Sequence, residues 1–195
     1  MEKIEHLWWP TPVWEVKTDF DKDFNESILK EIHQSQITKQ KNQHNDTDIF
    51  TGIENNPELT NLNILKRKIL EIMIPCAREY YPAQYYPNFK FHRAWLNVNH
   101  PGKLMKVHGH GGCLMALTYY LNTPENSGDL LLIDPLGGVN FGWTIEPGMS
   151  CGKTKTIKSE ESKLVFFPSH VLHMVEENKS QETRFSISAN LVAYF

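Results

Sequence analysis

An alternation of apolar and polar residues with a period of two runs through the second half of the chain. The C-terminal segment RFSISANLVAYF shows it most clearly. Successive side chains of a β-strand point to opposite faces, so this pattern predicts a strand with one apolar and one polar face. The apolar face would carry Phe185, Ile187, Ala189 and Leu191, and the polar face would carry Arg184, Ser186, Ser188 and Asn190.

Short strand-like segments fill the chain from about Phe89 onward, separated by Pro, Gly and Asn turns. Many short strands that follow helical segments predict two antiparallel sheets packed as a jelly roll, with the helices outside. We therefore expect a mainly β fold with added α-helices. The predicted strands are residues 91–99, 103–110, 114–122, 128–134, 139–145, 153–158, 163–167, 173–176 and 184–194.

The first half of the chain predicts an entry strand and a helix. Residues 1–18 have strand character, and Pro10 and Pro12 would confine that strand to a sheet edge. Apolar residues recur at helical spacing over residues 24–37. The polar stretch 38–57 is expected to form a loop.

A second helix is predicted from the apolar stripe of LNILKRKILEIMIPC, and its Pro75 should end or kink it. A chain of 195 residues is long enough for one domain with a buried core. We expect a single domain over residues 1–195. Within it, residues 1–88 would supply the entry strand and helical support, and residues 89–195 the β core.

Composition narrows the class of protein. Hydrophobic residues make up 40% of the chain and charged residues 22%, which is typical of a globular protein. A formal net charge of -3 argues against nucleic acid as the main partner. No segment has the length of a transmembrane helix or the pattern of a signal peptide. Three cysteines without a Cys-x-x-Cys pair favour the reducing cytoplasm.

Four histidines and one arginine suggest chemistry. His108 and His110 stand two apart, so their rings would project in the same direction from a strand. The segment FFPSHVLHMVEENKS then offers His170 and His173. Each of these histidines taken alone is more often structural, and a lone arginine more often forms a surface ion pair. Their combined order favours a metal site.

The polar face of the last strand also suggests a ligand. In the centre of a closed jelly roll this face would line the cavity, where an unpaired Arg184 is costly. An arginine with a hydroxyl two residues on, here Ser186, is suited to binding the carboxylate of a small anion.

The order of these residues resembles the iron- and 2-oxoglutarate-dependent oxygenases. Their double-stranded β-helix core carries His-x-Asp, then a distal His, then an Arg about ten residues later. The resemblance covers roughly residues 89–195, through TYYLN, SGDLLLIDP and FPSHVLHMVEENKSQETRFSIS. It is strongest to the small 2OG-Fe(II) oxygenases of marine bacteria and their phages, which have a prolyl-hydroxylase-like core.

The resemblance implies a ligand set and a reaction. Iron(II) would be held by His108, His110 and His173. The far carboxylate of 2-oxoglutarate would be bound by Arg184, Ser186 and Tyr120, and Asn97 would orient water or the 2-oxo acid. The implied reaction is hydroxylation of a small-molecule or peptide substrate by O2, with release of succinate and CO2. The implied location is the cytoplasm, or the host cytoplasm for a phage protein, and the oligomeric state is open.

One position departs from the family pattern, because His110 stands where the usual carboxylate of the facial triad is found. Three arrangements are open. His110 could be a third neutral ligand, it could turn away and leave a two-histidine site, or an acidic residue such as Asp134 could reach the metal. We favour His110 as a ligand.

Two other functions are open from the sequence. A cupin-type metalloenzyme would also use His-x-His and a later His. Its usual Glu follows the second His by four or five residues, and those positions are Leu114 and Met115 here. The cupin alternative also gives no role to Arg184 and Ser186. A non-catalytic jelly-roll binding module would need no metal. Trp143 and the loop 38–57 are expected walls of the substrate mouth.

Overall fold

The computed structural model describes residues 3–8, 11–35, 49–50, 56–134 and 154–195. The helices are α1 (Lys22–Gln34) and α2 (Thr60–Tyr80), with a short 3-10 turn at Pro57–Leu59 before α2. The strands are β1 (Lys3–Trp8), β2 (Thr11–Lys17), β3 (Asn88–Asn99), β4 (Met105–His108), β5 (Met115–Asn122), β6 (Leu130–Ile133), β7 (Thr154–Ile157), β8 (Lys163–Pro168), β9 (His173–Val175) and β10 (Arg184–Tyr194).

The strands form two antiparallel sheets. The major sheet has six strands in the order β1-β2-β8-β5-β10-β3, and the minor sheet has four in the order β4-β9-β6-β7. Neighbours in each sheet are often distant along the chain, as in a jelly roll. The predicted mainly β fold, a double-stranded β-helix with added helices, is confirmed. The predicted strand 139–145 and Trp143 lie outside the described residues, as does most of the loop 38–57.

The predicted single entry strand is wrong, because residues 1–18 contain two strands, β1 and β2, that pair with each other. Pro12 lies within β2 and is paired with Leu7 of β1 on one side, while no described strand pairs with its other side. It is tolerated there because β2 pairs with β8 only from Trp14 to Lys17, beyond the proline. Proline has no N–H group to donate, and no hydrogen bond between strands is lost on the side where β8 does not reach Pro12.

The two helices meet through one carboxylate. Helix α1 begins at the Asp21 cap, whose side chain accepts a hydrogen bond from Phe24 N at 2.8 Å. Helix α2 has no side-chain cap of its own. Instead, Glu31 of α1 accepts hydrogen bonds from the backbone N–H groups of Asn61 and Leu62 and from the Asn61 carboxamide. A carboxylate at this position also complements the partial positive charge of a helix N-terminus.

Pro75 does not end α2, since the helix continues to Tyr80. Of the two expected effects of this proline, an end to the helix is wrong, and a kink stays a prediction. Cys76 and Ala77 are buried in the core immediately after it. Their packing retains the last turn, and Tyr81 N donates to Ala77 O to close it.

The major sheet is covered on both faces. One face packs with the helices in a core that includes Ile28, Leu65, Met73, Tyr119 and Ile187. The other face meets the minor sheet in a smaller cluster. This cluster contains Val13, Ala116, Tyr120, Leu130, Leu132, Ile157, Val165, Phe167 and Val171. The polar face of β10 points into the space between the sheets, where the predicted site residues lie. No helix among the described residues is both long and apolar enough to cross a membrane.

Candidate metal centre and adjoining cavity

Three histidines meet at the edge of the minor sheet. His108 ends β4 and His173 begins β9, and the two residues lie directly opposite each other in the antiparallel pairing. His110 follows in the turn after β4, where its backbone N–H donates to Ser169 O at 3.2 Å. One ring nitrogen from each histidine lies within 4.8 Å of the others. The strand pairing brings His108 and His173 together. The predicted strand 103–110 is too long, because β4 ends at His108 and His110 reaches the other two rings from the turn beyond it.

Backbone carbonyls orient two of the three rings. His108 Nδ1 lies 2.8 Å from Lys106 O, and His173 Nδ1 lies 3.1 Å from Val171 O. A carbonyl oxygen can only accept, so each Nδ1 carries the proton and donates it. The Nε2 lone pair of both rings is therefore available to a metal ion.

The third ring, of His110, stacks on Trp95 with ring centroids 5.8 Å apart and an interplanar angle of 18°. Its Nε2 lies 3.2 Å from Nε2 of His173. Burial, followed by the nearby His108, lowers the pKa of His110. Burial lowers the pKa of His173 to about 3. Both rings are therefore neutral near pH 7, which is the form that binds a metal.

The donor set fits a first-row transition metal. Imidazole nitrogen suits iron, zinc, copper and nickel, and three neutral ligands leave coordination positions open. Over the described residues, these three form the one group of at least three His, Cys, Asp or Glu side chains with suitably close donor atoms. Asp134 is not part of it. His170 is exposed and also lies outside the group.

A cavity between the two sheets adjoins the histidines, and it is lined by every residue that the sequence assigned to the site. The major sheet contributes the cosubstrate candidates from three adjacent strands, β3, β5 and β10. Those lining residues are Asn97, His108, His110, Tyr120, His173, Arg184 and Ser186.

Arg184 is 2% exposed and its guanidinium is tied to a turn between β5 and β6. Its Nη1 donates to Ser127 O at 3.2 Å and to Gly128 O at 2.6 Å. Its Nε is buried without a hydrogen-bond partner, and no acidic side chain of the described residues forms an ion pair with it. Burial lowers the pKa of Arg184. An anion in the cavity would satisfy this charge.

Two hydroxyl groups line the cavity together with Arg184, one from its own strand β10 and one from the neighbouring strand β5. Ser186 and Tyr120 are paired across β10 and β5, and both are almost fully buried. Burial raises the pKa of Tyr120, so its phenol stays protonated and can donate a hydrogen bond.

The Asn97 carboxamide is held between two neighbours. Its oxygen accepts from Trp95 Nε1 at 3.0 Å, and its nitrogen donates to Ser188 Oγ at 2.8 Å. A weaker contact of 3.3 Å reaches Ser186 Oγ. Asn97 thereby fixes the Trp95 ring that stacks on His110.

Sequence reasoning missed the groups that hold the site residues in place. The carbonyls of Ser127 and Gly128 that bind Arg184 belong to the backbone, so no side-chain pattern identifies them. The stacking of Trp95 on His110 was also missed. An aromatic residue two positions before Asn97, on the same strand face, was the available signal.

Comparison with solved structures shows the same fold in other proteins. The chain resembles a prolyl-4-hydroxylase from Pseudomonas putida with a TM-score of 0.61 and 14% identity, covering 94% of this chain and 93% of that chain. It also resembles a viral collagen prolyl hydroxylase from Paramecium bursaria Chlorella virus-1, solved as a 2OG complex. That match has a TM-score of 0.60 and 13% identity, covering 93% and 96% of the two chains.

Sequence comparison supplies the family. No curated protein sequence gives a significant match to this chain. A family model described as "Putative 2OG-Fe(II) oxygenase" matches residues 93–190, which is half of the 195-residue chain. This stretch runs from β3 to β10 and contains all the histidines of the cluster and Arg184. The chain therefore belongs to the 2OG-Fe(II) oxygenases and is a 2-oxoglutarate-dependent non-haem iron dioxygenase.

Proposed function

We propose that this oxygenase hydroxylates a small-molecule or peptide substrate and releases succinate and CO2. Membership of the family supplies the class of chemistry, and the cavity suggests how the chain carries it out. The observation that carries the proposal is Arg184. A buried guanidinium that forms no ion pair with an acidic side chain of the described residues lines the same cavity as three converging histidines.

His108, His110 and His173 would hold Fe(II). Their backbone and ring contacts orient the rings, and burial keeps His110 and His173 neutral near pH 7, which is the form of imidazole that binds a metal. When bound, Fe(II) and 2-oxoglutarate supply the oxidising chemistry, in which O2 converts 2-oxoglutarate to succinate and CO2 while a substrate C–H bond is oxidised.

Arg184 would bind the far carboxylate of 2-oxoglutarate. Its Nη1 is committed to two backbone carbonyls, which holds the guanidinium still and leaves Nε and Nη2 for the anion. A charge-assisted, forked hydrogen bond of this kind is strong in a poorly hydrated cavity. Ser186 of β10 and Tyr120 of β5 would donate to the same carboxylate.

Asn97 would orient water or the 2-oxo acid, as the family resemblance implies. Its carboxamide already accepts from Trp95 and donates to Ser188, so the second lone pair of its oxygen is the group that remains for this task. Asn97 would therefore act from a fixed position.

A proline-containing peptide is the first substrate to test. Both solved structures reported above carry the name prolyl hydroxylase, and their fold covers nearly the whole of this chain. We also propose that residues 1–195 form one domain, because the core against α1 and α2 includes residues of β5, β8 and β10. We also propose a cytoplasmic location, because the three cysteines of the chain include no Cys-x-x-Cys pair.

The test is an anaerobic titration of 2-oxoglutarate into Fe(II)-loaded protein, followed by metal-to-ligand absorption, and then a succinate assay after O2 is admitted. We expect an absorption band that saturates with 2-oxoglutarate and succinate that accumulates beyond one equivalent. A cupin-type enzyme would bind the metal without the 2-oxoglutarate band. A binding module would bind neither, and either result would overturn the proposal.

A further inference from the structure

We propose that Asn190 is a positioning residue for His110: its carboxamide oxygen accepts the Nδ1–H of His110 and thereby directs Nε2 of that ring toward the metal ion. This inference rests on the proposed function, because it assumes that His110 is a ligand. It assigns a role to a residue that the reaction itself does not use.

The first step compares the three rings. His108 and His173 each donate Nδ1–H to a carbonyl of their own strand or turn. Within the described part of the chain, His110 has no such carbonyl, and its ring contact is Nε2 to His173 Nε2 at 3.2 Å. Of the three rings, His110 alone needs an acceptor from elsewhere in the fold.

The second step concerns the proton on His110. A neutral imidazole carries one proton, on either Nδ1 or Nε2. An ion bound by both His110 and His173 through Nε2 requires both of those lone pairs, so the His110 proton must then be on Nδ1. A buried Nδ1–H without an acceptor would disfavour metal binding.

The third step identifies the acceptor. The Asn190 carboxamide oxygen is buried and has no hydrogen-bond partner of its own, which is rare for a buried amide. Asn190 is paired with Ala116 of β5, which lines the same cavity as His110 and Trp95. The Asn190 side chain is within hydrogen-bonding reach of the His110 ring. The Asn190 carboxamide oxygen and the His110 ring are therefore neighbours. Within the described ranges, the oxygen lacks a hydrogen-bond donor, and the ring lacks an acceptor for its Nδ1–H.

The sheet explains why they are neighbours. Asn190 follows Arg184, Ser186 and Ser188 on the polar face of β10. Ser188 is paired with Trp95 of β3, whose ring stacks on His110. The register between β10 and β3 shifts between Ala189 and Leu191, at the position of Asn190. Asn190 itself does not line the cavity, as expected for a residue that supports the ring from behind.

This arrangement would give His110 the same kind of support that metal-binding histidines receive elsewhere. An acceptor on the second ring nitrogen fixes the tautomer and ring orientation, and loss of such a partner typically lowers metal affinity by about 10–100-fold. Trp95 restrains the face of the ring and Asn190 would restrain its edge.

The experiment compares wild-type protein with the variants Asn190→Ala, Asn190→Leu and Asn190→Asp, and with the control Asn122→Ala. Asn122 is an asparagine of the same sheet whose side chain donates to Thr183 O, away from the histidines. Co(II) affinity is measured by absorption at fixed pH. Long-range proton–nitrogen NMR of Zn(II)-loaded, nitrogen-15 histidine-labelled protein reports which nitrogen of each ring carries the proton.

We expect Asn190→Ala and Asn190→Leu to lose about 10–100-fold in Co(II) affinity, and the His110 Nδ1–H signal to shift or exchange with solvent. The His108 and His173 signals should remain. Asn190→Asp should retain or raise affinity, since a carboxylate also accepts from Nδ1–H. Asn122→Ala should match wild type.

Folded variants with wild-type Co(II) affinity and an unchanged His110 signal would overturn this inference and leave the proposed function standing. So would binding of Zn(II) through Nδ1 of His110. A wild-type protein that binds no Co(II) would overturn both. If Asn190→Ala failed to fold, the leucine variant of similar volume and the aspartate variant would decide the outcome.

Discussion

Nε2 of His110 lies 3.2 Å from Nε2 of His173, although the two residues are 63 positions apart in the sequence. The pairing of β4 with β9 produces this proximity, because it sets His108 opposite His173 and leaves His110 in the turn beyond. Two neutral rings whose nitrogens face each other at this distance form a site that a cation can occupy.

The distal histidine should be essential for metal binding. His173→Ala removes one of three ligands, and we expect Fe(II) or Co(II) affinity to fall by about 100-fold or more, beyond the roughly 10–100-fold typical of residues that only support a ligand. His108→Ala should behave alike. Metal content after anaerobic loading is the measurement, and the exposed His170→Ala is the matched control. Stoichiometric iron at wild-type affinity in His173→Ala would refute the assignment.

Replacing His110 tests the unusual third ligand. His110→Asp restores the carboxylate of the common facial triad, so we expect a folded protein with bound Fe(II) and raised turnover of 2-oxoglutarate. His110→Ala should lose both affinity and turnover. Succinate formation and metal titration check this. If both variants matched wild type in both assays, His110 would not be a ligand.

Arg184 should set affinity for 2-oxoglutarate and not for iron. Removal of one partner of a buried charge pair costs about 3–5 kcal/mol. At about 1.4 kcal/mol per tenfold, Arg184→Ala should weaken 2-oxoglutarate binding by a factor on the order of a hundred or more. Arg184→Lys should lose less, since it keeps the charge but not the forked geometry. Titration of 2-oxoglutarate into each iron-loaded variant, followed by absorption, measures these affinities. Wild-type affinity in a folded Arg184→Ala variant would remove the main support for a 2-oxoglutarate site.

Gly128 should be needed for the same interaction. Its φ is +89°, and a Cβ there would overlap the carbonyl oxygen of Glu176. We expect Gly128→Ala to lower the free energy of unfolding by about 2 kcal/mol or more and to weaken 2-oxoglutarate binding, because Gly128 O anchors Arg184.

The control for that substitution is Gly111→Ala. An added Cβ at Gly111 meets no atom within 4 Å, so we expect a change within about 0.5 kcal/mol. Urea denaturation of the two variants provides the comparison. Equal stability of both would mean that the turn at Gly128 can relax without cost.

Acid should destabilise the protein when metal has been removed by a chelator. Burial holds the pKa of His173 at about 3 in the folded state, whereas an unfolded histidine titrates near about 6.5. The unfolded state therefore binds more protons between these values. The stability is fully present above about pH 6.5 and is lost as pH falls toward about 3, by about 1.4 kcal/mol per pH unit for one histidine.

Denaturation of metal-free protein at pH 7, 6 and 5 measures this slope. His173→Asn removes the titrating ring, so its slope should be smaller by about that amount. An identical slope in wild type and variant would show that His173 is not buried as a neutral ring.

The β half of the fold was predictable because its signal is local and repeated. The alternation in RFSISANLVAYF gives β10 with the bounds that the structure has, and turn residues separate the others. The N-terminal hairpin was not predictable, because one apolar run with Pro10 and Pro12 reads as a single strand. The continuation of α2 through Pro75 depends on the burial of Cys76 and Ala77. The spacing of apolar residues in the sequence does not show whether this burial outweighs the effect of the proline.

The candidate site was predictable where it depends on side chains in a fixed order. His108, His110, His173 and Arg184 have spacings that suggest their convergence. Their supports could not be predicted. The carbonyl of Gly128 belongs to the backbone, so the residue type does not reveal its role. In the alternating pattern, Asn190 cannot be distinguished from the other polar residues of β10. These contacts arise from pairings between strands that are distant in the chain.

Strand β4 stands at the end of the minor sheet and pairs, among the described strands, with β9 alone. That pairing is irregular between Met105 and His108. An ion held by His108 and His173 would cross-link β4 to β9. It would thereby reduce the conformational entropy of these two segments, which are distant in the sequence. The metal that the chemistry requires would thus also hold the outermost strand of the minor sheet in place, so that apoprotein and holoprotein would differ most in the mobility of β4.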